Sequence, residues 1–200
     1  MGLFNKNQNQ EVQQIPQRQR LEGRYAASRN NILWVLLFTV INVILLVSNS
    51  NSYFLFSAYV PYSIVGWAML YCGKFPAEFY GDMSQYEFLD SSLFVVAIVV
   101  AVVICSLYFL CWLFSKKKRV AWMIIALVLF VLDTVLMFLG GVSTDSIIDV
   151  VFHGWVILSL SLGIAAHFKL KNLPEEEPVA APQPAVDAAE EPVSAELPEE

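Results

Sequence analysis

Three ionisable side chains stand inside long apolar runs: Asp133, Asp149 and His153. A charge at the centre of a bilayer costs about 2.5–3.5 kcal/mol on insertion scales, so such groups face a protein interior and find partners there. Helical rise sets their depths. Asp133 precedes Gly140 by seven residues, about 10 Å along a helix axis. His153 follows Asp145 by eight residues, about 12 Å, and Asp149 lies about 6 Å in. The two runs are joined by a short loop, so the depths match and Asp133 is expected to meet Asp149 and His153. Asp145, Asp149 and His153 also repeat every four residues and share one helix face. Two chemistries suit such a cluster. One is polar glue, an Asp–His hydrogen bond fixing a helix pair. The other is a proton or cation site, because histidine titrates near neutrality. A metal would need a third or fourth ligand, and only Asp145 or an outer-loop acid is on offer, so no metal or cofactor is expected.

Other chemistry is missing from the chain. It has no glycine-rich phosphate loop, no HExxH pair and no GxSxG elbow. No nucleophile–base pair stands out, so an enzyme is not expected, nor is a nucleic-acid partner. Cys72, Cys105 and Cys111 form no CxxC pair and read as small core residues. Asn42, mid-run, reads as an interhelical hydrogen-bond donor.

The elements that must carry these residues are apolar runs of spanning length. The 200 residues are 57% hydrophobic and 15% charged, against about half and a quarter in a soluble domain. Spans are expected at 31–49, 92–114, 121–141 and 146–168, each near the roughly 20 residues that cross a hydrocarbon core. Residues 1–30 form a polar N-terminal segment. From Pro174 onward six prolines and nine acids, with no base, describe a disordered acidic tail over 172–200. Residues 1–172 then hold 12 basic and 9 acidic groups, so the membrane part is mildly basic.

Residues 52–73, SYFLFSAYVPYSIVGWAMLYCG, are the ambiguous stretch. Basic residues near span ends mark the cytoplasmic side. Eleven of the 12 fall in three groups: Lys6 with Arg18, Arg20, Arg24 and Arg29; Lys116, Lys117, Lys118 and Arg119; and Lys169 with Lys171. An even number of crossings must separate the first two groups. Spans 31–49 and 92–114 supply two, so 52–73 should enter and leave the outer face, or lie along it. Loop 73–91 agrees, with Lys74 against Glu78, Asp82, Glu87 and Asp90. Pro61 would break or kink a helix there. The rival reading is a fifth span kinked at Pro61. Lys116, Lys117, Lys118 and Arg119 are basic groups at the membrane interface that ordinary topology explains; contact with anionic lipid headgroups is the rival reading.

The stretches NSNSYFLFSAYVPY, KFPAEF, FSKKKRVAW, LVLFVLDTV, DSIIDVVFHGWV and AHFKLKNLP resemble a family of small uncharacterised multi-spanning membrane proteins of Gram-positive, clostridia-like bacteria. The resemblance covers about residues 15–174. It implies a bacterial cell membrane and no catalytic residue.

The reading is an all-α integral membrane protein with four transmembrane helices, a re-entrant or interfacial helical segment at 52–73, and cytoplasmic termini. The leading function is a non-enzymatic assembly or accessory protein in the bilayer. It would meet a membrane-protein partner or a second copy through its helices, and a cytoplasmic protein through its acidic tail. The alternative is a small proton- or cation-coupled transporter using Asp133, Asp149 and His153.

Overall fold

The computed structural model describes residues 17–116, 119–141 and 147–174. Among them every regular element is helical: α1 (Gln17–Val47), α2 (Tyr59–Tyr71), α3 (Ala77–Tyr80), a short 3₁₀ turn at Met83–Gln85, α4 (Ser92–Ser115), α5 (Val120–Leu139) and α6 (Ile147–Lys171). Four of these, α1, α4, α5 and α6, are long and apolar enough to cross a membrane. The other long stretch is not: the 13 residues of α2 rise only about 20 Å, short of a hydrocarbon core of about 30 Å.

α1 begins at Gln17, well before the apolar run at 31–49. Gln, Arg, Leu, Glu and Ala are good helix formers, so nothing stops the helix where polarity changes. One buried stripe runs through both halves: Tyr25, Ser28, Ile32, Val35, Thr39, Asn42 and Leu46. Its alternating steps of three and four are those of knobs-into-holes packing. α5 repeats the pattern with Met123, Ala126, Phe130, Asp133 and Met137. These stripes meet around Ile32, Met123, Phe130, Val156 and Leu160. A second cluster, Leu46, Val65, Met69 and Ala101, seats α2 between α1 and α4.

The outward faces are apolar. Val95, Val99, Val102 and Val103 of α4 are each more than half exposed. Lipid solvates such a face, whereas water would drive it to associate.

α1 and α6 approach closely at Gly163, where an added Cβ would overlap Ser28 and come within 2.8 Å of Met123 Cε. The close approach permits polar bonds between the two helices. Ser28 Oγ donates to the Ser159 carbonyl at 2.7 Å and Asn31 Nδ2 to Ser159 Oγ at 2.6 Å. At the same end Tyr25 donates to the Ser115 carbonyl at 2.8 Å and Arg18 to that of Pro174 at 3.1 Å. These contacts gather the α1 arginines, Lys116, Arg119 and the lysines of α6 at one end of the bundle. Lys117 and Lys118 lie outside the described residues.

The opposite end is closed by 72–91. α2 stops in a Schellman turn, with Lys74 N–H on Met69 O, Gly73 N–H on Leu70 O and Gly73 at φ +63°. Leu89 N–H donates to Tyr71 O at 2.8 Å, and the Cys72 thiol donates to Asp90 O at 3.3 Å. That bond buries Cys72. Asp90 in turn accepts from Ser92 N–H, and hydrogen bonds from Ser92 hold its carboxyl below the usual carboxylate range.

Candidate functional site

The polar centre of the bundle is built around the start of α2. Residues 52–58 carry no helical hydrogen bonds, and their polar backbone needs partners wherever protein excludes water. α1 supplies them through Thr39 and Asn42, which are three residues apart and therefore on one face. Asn42 Oδ1 accepts from Phe54 N–H at 2.8 Å, while its Nδ2 donates to Phe54 O at 2.6 Å and Ser57 Oγ at 2.9 Å. The expected interhelical donor is thus a bracket on a non-helical strand. Thr39 Oγ1 donates to Val35 O at 2.6 Å and accepts from Ala58 N–H at 2.8 Å.

α5 completes the seat. The Asp133 carboxylate accepts from Tyr59 N–H at Oδ2 and from Val60 N–H at Oδ1, both at 2.8 Å. A helix start leaves four backbone donors without intrahelical partners. Here Ala58 is held by Thr39, Tyr59 and Val60 by Asp133, and Pro61 has no N–H to satisfy. Asp133 therefore acts as a helix cap supplied from another helix. It sits at the positive end of the α2 dipole, which offsets its buried charge. Pro61 lies in the first turn, where its ring is tolerated, and it produces no kink.

His153 of α6 adds the third contact. Its Nε2 lies 3.3 Å from Asp133 Oδ2, and its Nδ1 lies 2.8 Å from the main-chain oxygen of Asp149. A carbonyl only accepts, so Nδ1 carries hydrogen. One proton is then shared between Nε2 and Oδ2, giving either an imidazolium–carboxylate or a neutral pair. The ring stacks on Phe130 at 4.9 Å. Asp133 and His153 are buried to within a few per cent.

The predicted meeting of Asp133 and His153 is present. Asp149 joins it through its main chain and is itself only half-buried. Asp145 lies outside the described residues. Among the described residues no cluster of histidine, cysteine and acids could hold a metal. What sequence reasoning missed is the partner that dominates Asp133, two backbone N–H groups more than 70 residues away. Thr39 and Asn42, polar groups at i, i+3 inside an apolar run, signalled only that α1 holds a polar partner, not that Asp133 shares it.

Fold and site define an all-helical protein with four helices of membrane-spanning character around a polar clamp. The chain matches no protein-family model, no curated protein and no solved structure.

Proposed function

We propose that this chain is a multi-pass protein of the cytoplasmic membrane that acts by assembly, not by catalysis or transport. The observation carrying this reading is the hydrogen-bond inventory of Asp133. Both carboxylate oxygens are committed to the start of α2, and His153 is tied at both ring nitrogens. The cluster is fully used in holding structure.

In this reading α1, α4, α5 and α6 are the spans and both termini are cytoplasmic. α2 is re-entrant, coming in as the extended 52–58 segment and returning as a helix. The gathering of basic groups at one end of the bundle supports this orientation. The acidic tail serves cytoplasmic partners, and the apolar outer faces serve a membrane partner or a second copy. The Asp133–His153 pair carries a shareable proton, which is what favours the transporter alternative.

Proton and cation flux in proteoliposomes, paired with pull-down from native membranes, separates the two. We expect flux no greater than in empty liposomes, and a partner set that changes when residues 174–200 are removed. Flux that Asp133→Asn abolishes would sink the assembly reading.

Orientation has its own test. Cys72 is buried and hydrogen-bonded, so it reports poorly, whereas Glu87 is exposed. Glu87→Cys should react with an impermeant thiol reagent in intact cells, above the background of the unmodified chain. Reaction only after cells are opened would put loop 73–91 inside and require α2 to be reassigned.

A further inference from the structure

The α1/α6 face of the bundle holds two cavities that share a wall. The larger, about 360 Å³, is lined by the rings of Trp34, Phe38, Phe56 and Trp155, with Asn31 at its polar end. The smaller, about 190 Å³, is lined by Trp155 and Ser159 together with the exposed Arg24. Trp155 belongs to both, and Asn31 bonds to Ser159 at 2.6 Å between them. The two cavities adjoin at Trp155, and from one to the other the lining changes from a guanidinium, through two polar side chains, to four aromatic rings.

Phe56 forms part of the aromatic wall at a backbone cost. Its φ is +70°, a left-handed conformation that a bulky side chain rarely adopts. Its ring packs on Phe152, with centroids 3.7 Å apart, and edge-on to Trp155 at 5.7 Å. Strain of this kind persists where surrounding structure enforces it and often marks a binding surface.

We propose that these adjoining cavities bind a single-chain anionic amphiphile, its head at Arg24 and its tail among Trp34, Phe38, Phe56 and Trp155. Three features select this occupant. Two of the wall residues, Trp34 and Trp155, are exposed on the apolar outer face, so the ligand comes from the bilayer. The volumes are too small for a helix about 10 Å across. The cationic end calls for an anion, and Arg20, exposed one turn before Arg24 on the same helix, adds to that charge. A carboxylate and a phosphate monoester share the required chemistry.

The test uses tryptophan quenching by 9,10-dibromostearate and by its uncharged methyl ester, with the full chain in a non-ionic detergent. The acid should quench saturably and bind about fivefold more tightly than the ester, as expected for one cation near the membrane surface. Arg24→Gln should bring the acid to the level of the ester and leave the ester unchanged. Arg24 is exposed, so this variant keeps its fold. Trp34→Phe combined with Trp155→Phe should remove the saturable quenching. Competition by hexadecyl phosphate below the concentration at which stearate competes would identify a phosphate head; the reverse would identify a carboxylate. Equal binding of acid and ester by the unmodified chain would overturn the proposal. So would acid binding unaffected by Arg24→Gln, or saturable quenching that survives loss of both tryptophans.

Discussion

Asp133→Ala should lower the stability of the folded protein by about 2–4 kcal/mol, read from reversible unfolding in mixed micelles. The estimate follows from what the change strands. Tyr59 and Val60 lose the acceptor for their N–H groups, and each buried donor without a partner costs about 1–3 kcal/mol. His153 loses its only side-chain partner. Set against this, alanine removes a buried charge whose desolvation was itself costly. Hydrogen bonds within membranes are also worth less than their burial suggests, because the unfolded chain finds other partners. The order of related variants tests the role more sharply than any single value. Asp133→Asn keeps one acceptor but turns its amide toward the other donor, so it should recover little. His153→Ala leaves the cap on α2 intact and should cost about 1–2 kcal/mol, close to one hydrogen bond and its packing. A proton site makes the opposite demand: Asp133 and His153 would be equal partners, and both variants would fold normally. If His153→Ala is as destabilising as Asp133→Ala, the capping role is wrong.

What could be read from the sequence was whatever depends on local pattern. Runs of spanning length located α1, α4, α5 and α6 because a helix satisfies its own backbone and then needs only apolar length to cross. Counting crossings between basic groups made 52–73 the odd segment, and α2 within it is not among the four helices long and apolar enough to cross. Helical rise alone matched the depths of Asp133 and His153, because two helices joined by a short loop share an axis origin. The start of α1 at Gln17 was less legible, since polarity changes at residue 31 while helix propensity does not. The clamp itself was not legible. It joins α5 to backbone N–H groups of α2, and backbone donors carry no sequence signature. Nor was the bond of the Cys72 thiol to Asp90 O, which depends on how residues 86–90 fold back over the end of α2. Pro61 was read as breaking or kinking a helix for a related reason. A proline removes a donor wherever it stands, and only the helix boundary decides whether that donor was needed.

Asn42→Leu gives the complementary prediction. Leucine matches the volume and improves the hydropathy of α1, so any loss reports the polar groups alone. Asn42 is fully buried. Its replacement strands the N–H and C=O of Phe54 and the hydroxyl of Ser57, though Ser57 keeps a contact with the Tyr53 hydroxyl at 3.0 Å. Two orphaned backbone groups predict a loss of about 2–4 kcal/mol, comparable to that of Asp133→Ala. The informative quantity is the combination. Asn42 holds the extended part of the segment at Phe54, and Asp133 holds the start of the helix five residues further on, at Tyr59. If the segment is seated as one unit, losing either hold lets the whole stretch pull out, and the second loss then removes little. The double variant should fall short of the summed single losses by about 1–2 kcal/mol, within the range for groups acting on one shared element. Independent sites would instead add to within about 0.5 kcal/mol. Additivity would mean that residues 52–58 and α2 detach separately, so that α2 could leave its seat while Asn42 still held the strand.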